Sequence, residues 1–269
     1  MDEVAEVTRI AGACEVADGA SPLDEAARIA LADGAATVVL DRGGFALLHD
    51  GDLSLAVHPD HRRTGIASAL LARTSYDGGV TAWSHGNHPA AARLAATHGW
   101  ERVRDLWVMR RDSTLPLPPL EPPPGVRIRS YRAGDAAAIV AVNAAAFAHH
   151  PEQGAMDEDN LARRMAEPWF DPAGLLVAED ESGMLGFHWT KRHDAQHGEV
   201  YVIGIAPQAQ GRGLGKMLTL AGLHHLTGLG VEEVLLYVES DNAAAISLYS
   251  RLGFVHADAD THVQYRRRG

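Results

Sequence analysis

The run Val200-Tyr-Val-Ile-Gly-Ile-Ala-Pro-Gln-Ala-Gln-Gly-Arg-Gly-Leu-Gly-Lys-Met-Leu218 changes character halfway along. Val200 to Ile205 is apolar and β-branched and is followed by Pro207, which predicts a buried strand. From Gly213 onward, Leu214, Met217, Leu218 and Ala221 recur at the spacing of one helix face. The turn between them, Gln210-Gly-Arg-Gly-Leu-Gly215, therefore presents a helix N-terminus directly after a strand. The first amides of a helix have no intrahelical acceptor and its dipole makes that end partly positive, an arrangement suited to a diphosphate. Glycines let the backbone approach phosphate oxygens without a Cβ in the way, and Arg212 and Lys216 add charge. The spacing is neither the lysine-terminated nucleotide loop nor the dinucleotide fingerprint, which needs a further glycine and a following acid.

The same order of features occurs earlier in the chain. LSLAVHPDHRRTGIASALL (53–71), VTAWSH (80–85) and PAAARLAATHGW (89–100) parallel VYVIGIAPQAQGRGLGKML (200–218), VEEVLLYVE (231–239) and NAAAISLYSRLGF (242–254). Each set reads as apolar strand, glycine-containing turn, helix, strand, short Ala-rich helix and Gly-aromatic, which is a duplication. A plain strand-to-helix joint would not need to recur in this context, and the first copy carries its own turn at Arg62-Arg-Thr-Gly-Ile-Ala67. Between the copies lies Leu115-Pro-Leu-Pro-Pro-Leu-Glu-Pro-Pro-Pro-Gly125, whose prolines favour a semi-rigid polyproline II linker. The expected organisation is residues 1–112, a linker over 113–125, and residues 126–269. In the second copy the patterns predict a strand over 126–131, helices over 135–147 and 157–167, and a hairpin over 174–180 and 183–192. A strand over 234–238 and a helix over 243–251 follow, the helix capped by Asp241 or Asn242 and closed by Gly253. Strands interleaved with helices mean an α/β or α+β sheet of mixed direction.

Composition narrows the function. A formal charge of −11 argues against a nucleic-acid partner, because phosphate binding rests on Lys and Arg. It is compatible with an amine-bearing substrate. The acidic start MDEVAEVTRI lacks the layout of a secretion signal, and no apolar run has the roughly 20 residues a membrane span needs. One cysteine, Cys14, precludes an internal disulfide and fits a reducing, cytoplasmic setting. Lysine occurs only at Lys191 and Lys216 and arginine supplies the remaining basic positions, the mark of a GC-rich genome. Neither His58/His61 nor His224/His225 has metal-ligand spacing, so no metal is expected despite 15 histidines.

Both turns satisfy [Q/R]-x-x-G-x-[G/A], at Arg62/Gly65/Ala67 and at Gln210/Gly213/Gly215, and Asn242, Tyr249, Gly253 and Phe254 complete a second hallmark. On these residues the whole chain resembles the Gcn5-related N-acetyltransferase (GNAT) family. The resemblance implies two tandem domains, each a mixed, mostly antiparallel twisted sheet with flanking helices. It also implies acetyl-CoA as co-substrate, its pantetheine arm between two splayed parallel strands, here 200–205 and 234–239. Backbone groups of Ile203, Gly204 and Ile205 would pair with that arm. Gln210, Gly211, Arg212, Gly213, Leu214, Gly215 and Lys216 would hold the pyrophosphate, with Asn242, Ala243, Ala244, Ala245, Ile246 and Ser247 alongside. The corresponding positions of the first copy are Leu55, Ala56, Val57, Arg63, Thr64, Gly65, Ile66, Ala67 and Ser68.

FHWTK (187–191), GEVYVIGIAP (198–207), LYVESDN (236–242) and HHPEQG (149–154) sharpen the likeness. They resemble the tandem GNAT branch that acetylates the cysteinyl amine of a cysteine–glucosamine–inositol conjugate, the last step towards mycothiol, in actinobacteria. The arginine-rich composition agrees. SPLDEAARIAL (21–31) matches that branch only loosely, and the first copy is compact. Acetyl transfer needs a base for the amine proton and an acid for the leaving thiolate. Glu199, which alternation puts on one face with Tyr201 and Ile203, is the expected base. Tyr249, four residues before Gly253, is the expected acid, since the resemblance implies a tyrosine near the thioester sulfur there. Four residues before Gly99 the first copy has Ala95, which cannot donate a proton, so that copy is expected not to turn over. By resemblance, Glu25, Glu152, Lys191, Glu199 and Tyr237 would contact the acceptor, a small-molecule amine, in a monomeric enzyme. Plain structural roles for these side chains remain open at this stage. So do an unrelated amine or peptide N-terminus as acceptor, and a non-catalytic acyl-CoA-binding regulator.

Overall fold

The computed structural model describes residues 2–75, 79–148, 154 and 156–268. The chain forms two compact units. One comprises Met1–Val108 with Glu239–Asp241 and Ala257–Gly269, and the other Met109–Val238 with Asn242–His256. The last strand of the chain thus belongs mainly to the first unit, and the proline-rich segment belongs to the second.

The first unit runs α1 (Glu3–Asp18), α2 (Glu25–Ala32), β1 (Thr37–Asp41), β2 (Gly44–His49), β3 (Asp52–Val57), α3 (Ile66–Arg73), β4 (Thr81–Ser84), α4 (Pro89–Thr97) and most of β5 (Trp100–Asp112). β1–β2 and β2–β3 pair antiparallel, and β3–β4 parallel. The second unit continues with β6 (Arg127–Ser130), α5 (Ala136–Ala146), α6 (Glu158–Met165), β7 (Leu175–Asp180), β8 (Gly183–Arg192), β9 (His197–Ile205), α7 (Leu214–Gly228), β10 (Glu233–Glu239) and α8 (Ala243–Arg251). Its sheet order is β6–β7–β8–β9–β10, antiparallel up to β9 and parallel at β9–β10. The closing strand β11 (Val255–Arg267) pairs antiparallel with β4, from Val263↔Ser84 to Arg266↔Thr81, within the first unit. Each unit is therefore a mixed α/β fold, and the duplicated order read from the sequence is present in both.

Apolar residues on both faces of each sheet explain the helical layers. In the first unit Val7, Ile10, Ala11 and Cys14 of α1 pack with Phe45, Leu47 and Ala56. Leu70, Leu71 and Ala95 cover the opposite face with Val263 and Tyr265. Burial pushes the Cys14 thiol up, as expected of a structural cysteine. In the second unit Ile139, Val142 and Leu161 pack against Phe187, Trp189 and Val202, while Leu218 and Ala221 of α7 cover Leu176 and Ala178.

Gly222 shows how closely α7 approaches the sheet. A Cβ there would overlap the ring of His188, which is fully buried and whose Nδ1–H donates to the Leu218 carbonyl oxygen at 2.7 Å. Burial lowers the His188 pKa to about 4, so the imidazole is neutral at physiological pH. Gly→Ala within a helix ordinarily stabilises by about 1 kcal/mol. Here Gly222→Ala is expected to destabilise by about 1–3 kcal/mol through overpacking, read as a lower urea midpoint; an unchanged or higher midpoint would contradict this packing.

Candidate active site

The parallel register of β9 and β10 runs from Glu233↔His197 to Leu236↔Val200. Both strands continue past that point, β9 to Ile205 and β10 to Glu239, so the ladder opens towards the turn before α7. The Ala206 amide donates to the Leu185 carbonyl on the β8 side at 2.9 Å. Strand amides alternate in direction, so those of Ile205 and Ile203 face the edge that β10 has left, and that of Gly204 faces β8. Of the three expected backbone contacts, Ile203 and Ile205 thus aim amides into the cleft.

The cleft leads to α7. Pro207–Ala209 form a 3-10 turn, Gly211 and Gly213 both have φ of 77°, and Gly213 is the N-cap, with no side chain capping the helix. Left-handed backbone at both positions requires residues without a Cβ penalty, and open space lies where a Cβ would project. The first helical bond runs from the Met217 amide to the Gly213 carbonyl, which leaves the amides of Leu214, Gly215 and Lys216 at the helix start. An anion at such an end gains about 0.3–1 kcal/mol, so the turn needs the strand edge as well to hold a coenzyme. Arg212 pairs with Asp180 at 3.1 Å, and Lys216 is exposed on the first turn. On the other side of the cleft, Asn242 caps α8, its Oδ1 accepting from the Ala245 amide at 3.1 Å, so Ala243–Ser247 form that helix's start.

The first unit repeats this backbone. Gly65, the N-cap of α3, has φ of 88°, Arg63 has φ of 63° where the second unit has Gly211, and Arg62 matches Gln210 in extended conformation. Its side chains are otherwise engaged. Arg62 makes a bidentate pair with Asp18 at 2.7 Å, the Thr64 hydroxyl donates to the His61 carbonyl, and Ser68 bonds His98. Leu55, Ala56 and Val57 end β3, and Ile66 and Ala67 begin α3.

Glu199 is buried with 8 % of its side chain exposed, and its Oε2 lies 2.7 Å from Nε2 of His193. It pairs with Lys191 of β8 and Leu235 of β10. Lys191 Nζ stands 4.5 Å from the ring centre of Trp169 and 5.2 Å from that of Tyr201, whose hydroxyl accepts from Arg164 at 2.6 Å. Desolvation of the Tyr237 phenol, then the Glu199 charge, push it up to about 12, against the opposing charge of Arg110. Glu199, Lys191 and Tyr237 are thus brought together.

One alternation inference fails. Trp189 pairs with Val202 and Thr190 with Val200, which leaves Tyr201 as the extra residue of a β-bulge. Glu199 and Tyr201 share a face, but Ile203 pairs with His188 and falls on the α7 side.

Tyr249 sits on α8 where its backbone is fixed. Its carbonyl accepts from the Phe254 amide at 3.1 Å, the Gly253 amide reaches Ser250, and Gly253 has φ of 90°, a Schellman closure. The ring packs edge-on to Phe254 at 5.8 Å, and burial raises its pKa to about 12. Glu25 opens α2 of the first unit as an exposed residue, and Glu152 lies outside the described residues. His193 escaped the sequence reading; it and Glu199 come together only through the hairpin between β8 and β9.

The model of the acetyltransferase (GNAT) family matches residues 143–254. Among solved structures, the chain is similar to a GCN5-related N-acetyltransferase from Sphaerobacter thermophilus (TM-score 0.69, 24 % identity, 98 % of this chain and 93 % of that one). It is also similar to a tandem GNAT protein of the clavulanic acid pathway (TM-score 0.66, 20 % identity, 98 % and 95 % covered). These likenesses establish the fold. A mycothiol acetyltransferase from Nocardioides sp. is 58 % identical over 99 % of this chain and 98 % of its own length. Another, from Thermobispora bispora, is 47 % identical over 97 % and 95 %. The chain belongs to the mycothiol acetyltransferase family of GNAT proteins.

Gly213→Val places a β-branched residue in left-handed backbone at the mouth of the cleft. Affinity for acetyl-CoA, measured by calorimetry, is expected to fall at least tenfold through backbone strain of about 1–2 kcal/mol and the lost approach to phosphate. Unchanged affinity would place the coenzyme elsewhere.

Proposed function

We propose that the second unit transfers the acetyl group of acetyl-CoA to the cysteinyl amine of the cysteine–glucosamine–inositol conjugate, the last step of mycothiol synthesis. The observation that carries the chemistry is the opened β9–β10 ladder, which ends at an uncapped helix start and has Glu199 buried beside it. The names of the two relatives support the acceptor. The Glu199 carboxylate takes a proton from the acceptor ammonium, and the neutral amine nitrogen attacks the thioester carbonyl carbon. The amides of Ile203 and Ile205 face the reacting group from the strand edge and help polarise that carbonyl. As the carbon–sulfur bond breaks, Tyr249 supplies a proton to the sulfur. The phenoxide is then restored by the second amine proton, so one proton is released per turnover.

Lys191 and Tyr237 border Glu199 and are proposed to contact the conjugate, with Glu25 and Glu152 as further contacts. In the first unit Ala95 stands where Tyr249 stands, and Asp52 is bonded by the Thr81 hydroxyl. That copy is proposed to bind acetyl-CoA without turning over. The enzyme is proposed to act as a cytoplasmic monomer.

Incubation with acetyl-CoA and a panel of amines, followed by free-thiol release, tests the acceptor. Turnover with the cysteinyl conjugate is expected, and activity confined to an unrelated amine would remove this assignment. Glu199→Gln and Tyr249→Phe should each lower kcat by about 10²–10⁴-fold with acetyl-CoA affinity near normal. Because an acid works below its pKa, Tyr249 stays protonated up to about 12. The kcat profile should accordingly show no alkaline fall through about pH 10. Normal turnover by both variants would leave a binding protein in place of an enzyme.

A further inference from the structure

We infer that His193 is a positioning residue for Glu199, a role that rests on the reading of Glu199 as base. The two side chains meet at 2.7 Å, yet they differ in access: 8 % of Glu199 is exposed and 37 % of His193. A buried carboxylate needs a hydrogen-bonded partner, and an ionised carboxylate can only accept. The proton between them is therefore on His193 Nε2, which donates to Oε2. That bond holds one carboxylate oxygen and leaves Oε1 to accept the proton of the acceptor amine. Nδ1 remains a lone pair on a ring that solvent reaches.

The hairpin explains why His193 is held in place. Lys191 pairs with Glu199, and two residues on, strand alternation returns His193 to the same face. The His193 amide donates to the His197 carbonyl at 2.9 Å. Asp194 Oδ1 accepts from the amides of Gln196 and His197, and Arg192 Nε donates to the Asp194 carbonyl. The Asp194 carboxyl is held down to about 2, chiefly by its hydrogen bond from the His197 ring. Among the described residues, the charged and titratable groups around the pair include Lys191 from β8, Tyr237 from β10, Arg164 from α6 through Tyr201, and Asp194 and His197 from the turn itself. Among these, His193 alone is hydrogen-bonded to Glu199.

The test compares His193→Ala, His193→Gln, Glu199→Gln and the double variant His193→Ala/Glu199→Gln in the full chain, with acetyl-CoA and the cysteinyl conjugate. Loss of one hydrogen bond to a charged group predicts that His193→Ala lowers kcat about 10- to 100-fold. Both KM values should stay within about threefold. His193→Gln keeps an N–H donor, so it should recover most of kcat. In the double variant the His193 change should add nothing to Glu199→Gln. Wild-type kcat in His193→Ala beside an impaired Glu199→Gln would overturn this inference alone. So would a loss confined to KM, an equal loss in His193→Gln, or a full additional loss in the double variant. Wild-type turnover by Glu199→Gln would overturn the base assignment itself, and this inference with it.

Discussion

The structure depends on two parallel strands that stop pairing while both are still strands. β9 and β10 hold their ladder as far as Leu236↔Val200 and then part. Backbone amides left at a sheet edge must find acceptors, since an unmet buried donor costs about 1–3 kcal/mol. A linear ligand with amide and carbonyl groups of its own satisfies that edge as a further strand would. The opened ladder ends at the start of α7, where Gly213 turns the chain without a side-chain cap. Along the chain, the free edge of β9 is followed by that helix end, and both carry backbone amides without a partner in their own element.

The two units show what this frame needs in order to become a catalyst. Their turns align without a gap from Arg62/Gln210 to Ser68/Lys216, and the backbone matches at Arg62/Gln210, Arg63/Gly211 and Gly65/Gly213, the last two pairs left-handed. Pairing carries the equivalence further. Asp52 pairs with Thr81 as Glu199 pairs with Leu235, so Asp52 is the counterpart of Glu199. Between these acids and the turn, the second unit holds one more residue than the first, and that residue is the bulged Tyr201. The bulge shifts the side-chain alternation of the strand after it and brings Tyr201 beneath Lys191. In the first unit the β2–β3 register is unbroken, Asp52 is exposed and bonded to Thr81, and alanine replaces the tyrosine. The proposed chemistry rests on these additions, and the proposed coenzyme binding on the backbone that the units share.

Much of this was readable in the chain. The change of period at Gly213, the Asn242 cap and the Gly253 closure each rest on interactions between near neighbours, and each is found where expected. Less legible were α1, β5 and β11. The two strands, WERVRDLWVMRRD and VHADADTHVQYRR, are dense in charge, and their place in a sheet depends on partners far away in sequence. Likewise, nothing local marks β11 as pairing with β4 of the first unit. Alternation put Ile203 on the Glu199 face because a bulge adds a residue without altering composition or pattern.

Local sequence therefore determined the glycine turn before α7, the caps that orient α7 and α8, and the identities of Glu199 and Tyr249 as chemically able groups. Those features depend on backbone conformation and hydrogen bonds spanning a few residues, which residue type alone can specify. Only the tertiary structure decided where the ladder opens, which face Ile203 takes, and that His193 lies against Glu199. These are matters of register between strands, and register is set by the packing of whole sheet faces, which no short stretch of the chain contains.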